Sequence, residues 1–257
     1  RDRCRVIGAQ HVGPNRFYNP SVLRVGEKTW MAYRADIEGH WHLTVAAACT
    51  LNSEWNPEPG SNRYMVLPTR FGGFCVEDPR LFAVQDSVYV SYTDGRRVAL
   101  ARLDAHFGVD DAWYCETDFR LQSVEKNWAF FGQDYHIRVV YSVKPHVVMS
   151  LDFENERPFS SKAFVTDWPF QWEYGTPRGG SAPVLHNGHF WHFFHSYLPL
   201  ENDARRYYGG VYLFESEPPF KPVAICAKPL MIGTPENLPP QGTFQVVFPA
   251  GAVRGAD

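Results

Sequence analysis

The sequence predicts an all-β fold, a five-bladed β-propeller, on three observations. There is a weak internal repeat of roughly 50 residues, the apolar runs are short and lack a sustained helical period, and glycine and proline punctuate the chain throughout. Each repeat is an apolar strand, a short polar turn and a second strand ending in an aromatic residue. It occurs at residues 20–33, 79–92, 130–141 and 183–194, and its first half recurs at 248–257. Further short strands follow within the units, at 42–49, 98–103, 145–151 and 210–214. The 20 Gly and 20 Pro supply the turns, and the proline-rich segments 56–60 and 235–241 are expected to connect blades. A propeller closes by pairing its first and last strands. Residues 5–11 are therefore expected to complete the fifth blade, or that blade is truncated at the C-terminus. The whole chain, 1–257, is expected to be one domain.

Composition narrows the function classes. An aromatic share of 16% suits a sheet-rich protein or a sugar-binding cleft, both of which use flat apolar faces. Lys+Arg 25 against Asp+Glu 28 gives a net charge of -3, without the basic excess that a nucleic-acid backbone demands. No run approaches the ~18 apolar residues of a membrane span, and the first residues lack a signal-peptide layout. Five widely separated cysteines, an odd number with no C-x-x-C pair, read as reduced thiols. A cytoplasmic protein with neither nucleic-acid nor membrane partner is expected, with homo-oligomerisation left open.

In a propeller the start of each innermost strand faces the central channel, so distant residues converge there. These positions hold Asn19, Glu77 and Asp78, Lys126 and Asn127, and residues 178–181. Arg34, Arg97, Lys144, His146 and His195 lie a little further along. The set is mostly cationic with few acids, whereas a simple glycoside hydrolase needs two carboxylates. The stretch Val76-Glu77-Asp78-Pro79-Arg80 places two carboxylates and a guanidinium at the start of a strand. Burial and neighbouring charge can split such a pair into acid and spectator. The plainer alternative is an Asp-Pro turn with Arg80 paired to Glu77 on the surface. His186, His189, His192 and His195 alternate faces along a strand, and same-face members lie ~20 Å apart, so no metal site is expected.

Eight short motifs, in order and spacing together, carry a resemblance. They are Phe17-Tyr18-Asn19-Pro20, Tyr33-Arg34, Glu77-Asp78-Pro79-Arg80, Arg97-Val98-Ala99-Leu100-Ala101, Glu125-Lys126-Asn127-Trp128, Gly179-Gly180-Ser181-Ala182-Pro183, Phe194-His195 and Tyr208-Gly209-Gly210-Val211-Tyr212. Across nearly its whole length the chain resembles glycoside hydrolase family 130, the five-bladed-propeller β-mannoside phosphorylases and related mannosyltransferases. The resemblance implies that Asp78 is the general acid, protonating the leaving glycosidic oxygen directly or through a sugar hydroxyl. It implies that Arg97 and Lys126 hold phosphate, with His195 and Tyr208 close by, and that Asn19 and Arg34 position sugar and acid. Glu77, Lys144, His146 and Arg178 are placed with the substrate-binding residues. Two departures stand out: Phe130-Phe131-Gly132 replaces a phenylalanine-proline-acid sequence, and Lys144-Pro145-His146 stands where arginine is common.

The expected reaction is an inverting phosphorolysis of a β-mannoside to α-mannose 1-phosphate. Phosphate arrives anionic and nucleophilic, so one acid and a cationic cradle suffice. No cofactor is implied beyond inorganic phosphate as co-substrate, and the partner is an oligosaccharide or sugar phosphate. The alternatives are a nucleotide-sugar-dependent β-mannosyltransferase, an inverting β-mannoside hydrolase and a non-catalytic glycan-binding propeller.

Overall fold

A computed structural model describes residues 10–12, 15–37, 40–154, 157–235 and 244–254. Among them there is no α-helix, and so none long and apolar enough to cross a membrane. The strands fall into four sheets. The first contains β1 (Gln10–Val12), β2 (Asn15–Val25), β3 (Lys28–Ile37), β4 (His40–Leu51) and β5 (Arg63–Met65). The second is β6 (Glu77–Val84), β7 (Ser87–Thr93), β8 (Val98–Leu103) and β9 (Val109–Tyr114). In the third, β11 (Ala129–Gln133), β12 (His136–Ser142), β13 (His146–Glu154) and β14 (Arg157–Thr166) run in order, with β10 (Glu116–Thr117) parallel to β14. The fourth is built on β17 (His189–Pro199) and β18 (Arg205–Glu215), flanked by β15 (Arg178–Gly179), β16 (Val184–His186), β19 (Pro222–Ile225), β20 (Met231–Ile232) and β21 (Phe244–Gln245). These are the blades of a β-propeller.

The repeat seen in the sequence is a hairpin. In each blade the innermost strand returns through a two-residue loop, closed by Val25 opposite Lys28, Val84 opposite Ser87, Gln133 opposite His136 and His186 opposite His189. Such tight loops need a left-handed backbone, provided at Gly26 (φ 58°), Gln85 (φ 52°), Asp134 (φ 52°) and Asn187 (φ 50°). Period-two alternation then sends neighbouring side chains to opposite faces, and both faces are buried. Leu81 and Val90 pack with Trp30, Met65 and Leu67 between the first two blades. Phe82 and Leu100 pack with Trp128, Phe130 and Met149 between the second and third. Phe131, Phe190, Phe194, Tyr212 and Phe214 fill the next interface. Each such side chain, fully buried, contributes about 1.5–3 kcal/mol.

The innermost strands approach so closely that glycine is required where they meet. A Cβ on Gly132 would lie 2.2 Å from the Ala83 carbonyl oxygen, and one on Gly179 would lie 2.0 Å from that of Asn127. The fifth position differs from the sequence expectation. Described residues 246–254 contain no strand, and 255–257 lie outside the described residues, so the half-repeat at 248–257 forms no fifth sheet among them. Residues 249–251 nonetheless fill the gap between fourth and first blades. The Pro249 carbonyl would lie 2.8 Å from a Cβ on Gly180, and a Cβ on Gly251 would meet the Val22 nitrogen at 2.4 Å. Of residues 5–11, Gln10 and His11 pair with Phe17 and Arg16 in the first blade, and 5–9 lie outside the described residues. Residues 56–60 also depart from expectation: they join β4 to β5 inside the first sheet rather than linking blades. Most of 235–241 lies outside the described residues. Cys49, Cys75, Cys115 and Cys226 form no disulfide, and Cys4 lies outside the described residues.

Gly251→Ala is expected to lower stability by about 1–3 kcal/mol, because the added methyl overpacks against first-blade backbone. A denaturant midpoint unchanged from the parent would mean that 249–251 does not seal the ring.

Candidate active site

The innermost strands begin with a shared irregularity. Asn19 (φ 53°), Asp78 (φ 52°) and Asn127 (φ 63°) all take the left-handed backbone, which Asn and Asp tolerate better than other non-glycine residues. In the first two blades the ladder slips here, between Tyr18 and Ser21 and between Glu77 and Arg80. Such bulges re-aim a side chain away from its ladder position. As a result Asn19 Nδ2 donates to Asp78 Oδ1 at 2.6 Å, joining two blades. Ser21 Oγ accepts from the Leu81 backbone N–H at 2.9 Å just below, which fixes the two strands against each other.

Around Asp78 the charges are mostly positive. Glu77 lies between two cations, with Arg34 Nη2 at 3.5 Å from one oxygen and Lys126 Nζ bonded to the other. The Arg34 guanidinium also covers the Tyr18 ring at 5.0 Å, and the Tyr18 hydroxyl donates to buried Asp36 at 2.5 Å. Arg80 is not a surface partner of Glu77. It is buried, donates from Nη1 to the Trp128 carbonyl at 3.3 Å and faces the Phe248 ring at 5.1 Å. Its Nε and Nη2 have no hydrogen-bond partner. Burial weakens its hold on its proton, and nearby Asp78 acts in the opposite direction. A small cavity bounded by Asp78, Arg80, Ser91, Thr93, Asn127 and Trp128 has about 10 Å³ of free space, near the minimum for one water.

His195, on β17, stands opposite Arg178 of β15 and Gly209 of β18. It is buried, with its ring 4.3 Å from that of Phe248. Burial first, then the charges of Arg80 and Arg178, push its pKa down to about 3, against the opposing pull of Asp78 and a Gly179 backbone hydrogen bond. His195 is thus a neutral imidazole in the same charge cluster as Asp78 and Arg80. Arg178 is exposed and lies over the Tyr197 ring at 5.0 Å.

Three candidates are placed elsewhere. Tyr208 pairs with Ser196, one step from the His195–Gly209 pair, so its side chain leaves the opposite face of the sheet and packs on Tyr174 at 5.0 Å. The tyrosine beside His195 is Tyr207, with ring centroids 6.0 Å apart. Lys144 is exposed and donates to the Phe170 carbonyl at 3.2 Å, over the Phe170 ring. His146 is fully buried between third and fourth blades, where its Nδ1 lies 3.3 Å from the Tyr212 hydroxyl. That hydroxyl also meets His192 Nδ1 at 3.0 Å, and His192 Nε2 accepts from the Gly180 N–H at 3.3 Å. The two histidines and Tyr212 form a buried polar chain beneath the fourth blade's innermost strand.

Arg97 is exposed at the end of a turn anchored by Asp94. The Asp94 carboxylate accepts from Arg70 Nε (2.6 Å) and Nη2 (2.9 Å), from the Tyr114 hydroxyl (3.0 Å) and from the backbone N–H groups of Arg96 (3.1 Å) and Arg97 (2.9 Å). Burial alone would raise its pKa, but these bonds outweigh it and bring the pKa down to about 2. Among the described residues no group of three or more His, Cys, Asp and Glu is arranged to hold a metal ion.

The buried histidines predict an acid-sensitive fold. An unfolded histidine titrates near pH 6.5, while folded His146 and His195 titrate at about 4 and about 3 and His192 well below 6.5, burial being the first cause for each. Below pH 6.5 the unfolded chain therefore binds protons that the folded chain does not. Their contribution is fully present above that pH and lost as pH falls, at up to about 1.4 kcal/mol per pH unit for each group. Asp94 adds a separate loss only below its unfolded value near 3.8. Denaturant midpoints measured from pH 7.5 to 5 should fall progressively, and His146→Gln should flatten the slope; a flat parent profile would mean that these imidazoles are solvated.

No family model matches the chain, and no curated protein sequence does. Solved structures share its fold. A β-1,2-mannobiose phosphorylase from Listeria innocua, in complex with β-1,2-mannobiose, superposes with a TM-score of 0.64 at 14% identity, over 96% of this chain and 86% of that one. A glycosyl hydrolase from Bacteroides ovatus gives 0.52 at 12% identity, over 84% and 71%. The catalytic domain of a family 62 α-L-arabinofuranosidase from Coprinopsis cinerea gives 0.52 at 11%, over 81% and 67%. At these identities the likeness establishes the five-bladed β-propeller fold of glycoside-processing enzymes, and the first of these neighbours agrees with the resemblance carried by the motifs.

Proposed function

We propose that the channel mouth is the active site of an inverting glycoside phosphorylase acting on β-mannosides, built on one propeller spanning residues 1–257. The observation that carries this reading is Asp78, held at Oδ1 by Asn19 and surrounded by cations while the other nearby carboxylates are occupied. Glu77 is held by Arg34 and Lys126, Asp36 by Tyr18, and Asp94 by Arg70 and its own turn. A hydrolase would need one of these to activate water, at about 6.5–9.5 Å from the acid. Phosphate needs no base.

Asn19 occupies Oδ1, which leaves Oδ2 to carry the proton. A phosphate oxygen attacks the anomeric carbon from the face opposite the leaving sugar, the glycosidic C–O bond breaks, and the Asp78 proton passes to the departing oxygen. The products are α-mannose 1-phosphate and a shortened saccharide. Lys126 and Arg97 at the mouth offset the phosphate charge, arginine as a planar fork and lysine as a point charge. Neutral His195 donates or accepts a hydrogen bond without adding charge, and buried Arg80 favours the carboxylate that Asp78 becomes after proton transfer.

The test is incubation with β-1,2-mannobiose and inorganic phosphate, following phosphorus NMR for α-mannose 1-phosphate. Turnover should require phosphate, and Asp78→Asn should lower kcat by about 10²–10⁴-fold. Mannose release without phosphate would replace the reading with hydrolysis. Nucleotide release from GDP-mannose would indicate a transferase, and saccharide binding without turnover a lectin-like propeller.

A further inference from the structure

Between the second and third blades lies an open cleft of about 910 Å³, lined by Arg70, Arg97, Tyr114, residues 115–117 and residues 119–123. Its inner rim is made by the same two loops that serve the channel mouth. Arg97 directly precedes Val98, which lines the small cavity beside Asp78, and Ser123 lies three residues before Lys126. Buried Glu125 ties the loops together: its backbone N–H donates to the Arg96 carbonyl at 2.9 Å, and its carboxylate accepts from Trp128 Nε1 at 2.9 Å and from the Gln122 N–H at 2.6 Å.

The charge in the cleft is unbalanced. Arg70 is neutralised by Asp94. Among the described residues the side chains of Arg97 and Arg120 have neither ion pair nor hydrogen bond, and Glu116 is the one carboxylate of the lining. Two unpaired guanidinium groups on a concave wall form an anion-binding arrangement, and arginine forks favour phosphomonoester oxygens. The volume lies within the range of about 300–1,000 Å³ usual for small-molecule sites and far exceeds what inorganic phosphate needs. The remaining lining suits a sugar ring. Phe119 is exposed and meets the Tyr141 ring at 5.5 Å, and Thr117, Gln122 and Ser123 supply hydroxyl and amide groups.

We infer that this cleft binds a phosphorylated sugar, so that the saccharide on the leaving-group side of the cleaved bond carries a phosphate monoester gripped by Arg120, with Arg97 on the inner rim left to inorganic phosphate. The inference rests on the phosphorylase reading for its place in a reaction, but the binding itself does not. The experiment is therefore calorimetric titration without turnover, using mannose 6-phosphate, mannose and inorganic phosphate as probes against the parent, Arg120→Ala, Arg120→Glu and Asp78→Asn. Mannose 6-phosphate should bind the parent more tightly than either other probe. Arg120→Ala should weaken it about tenfold and Arg120→Glu further, while Asp78→Asn leaves it intact. Arg120 is exposed, so neither substitution at it threatens the fold. Binding indifferent to Arg120, or inorganic phosphate binding as tightly as the sugar phosphate, would overturn the proposal. Arg120-dependent binding in a protein that shows no phosphorolysis would uphold it and defeat only the phosphorylase reading.

Discussion

The closeness of the innermost strands is the constraint on which the channel depends. Glycines 132, 179, 180 and 251 each stand where a methyl group would strike backbone of the next segment in the ring. This spacing brings Asn19 within hydrogen-bond distance of Asp78 although they belong to different blades. Were the blades an ångström further apart, the 2.6 Å contact would open and the carboxylate would turn freely on its loop. Core packing far from the channel, such as Leu81 against Trp30 and Phe131 against Phe190, thus sets the geometry of the acid by holding the ring tight.

Charge is distributed with similar economy. Buried or half-buried carboxylates are matched to specific donors: Glu77 to Arg34 and Lys126, Asp36 to Tyr18, Asp94 to Arg70, Tyr114 and two backbone N–H groups. Among the described residues, Arg97 and Arg120 at the cleft and two nitrogens of Arg80 inside are left uncommitted. Buried unpaired donors are costly, at about 1–3 kcal/mol for a neutral group and more for a charged one. The two nitrogens of Arg80 face the small cavity that Asp78 also bounds, which marks that cavity as suited to an anion.

Much of this was legible in the sequence, and the failures have physical causes. The hairpin repeat exposed four blades because two-residue turns and alternating strands leave periodic marks, and the Asn19–Asp78 equivalence follows from that repeat. The fifth position left half a mark, because residues 249–251 pack as an unpaired strap and need no alternation. The family resemblance puts Tyr208 beside His195, but strand parity puts them on opposite faces, and the register that decides this is invisible before pairing is known. Tyr207 is the tyrosine whose ring lies beside His195. His146 is the first residue of β13, where the chain has already entered the core. Arg80 looked like half of a surface ion pair. Only the bulge between Glu77 and Arg80, with Trp128 and Phe248 from distant segments, explains why its guanidinium points inward.

Arg80 also couples the acid to the fold. Its buried charge has one carbonyl, one aromatic face and the nearby Asp78 as compensation. When Asp78 holds its proton, Arg80 loses the opposing charge that Asp78 supplies; when the proton leaves, the carboxylate restores the balance. On the proposed phosphorylase reading, the site would gain electrostatic stabilisation as the proton departs, the direction that catalysis by a general acid requires. A protonated His195 would place a second buried cation beside Arg80, and burial keeps the imidazole neutral. The burial that brings its pKa down to about 3 is the same burial that strands Arg80, so one dry pocket under Phe248 acts on both groups.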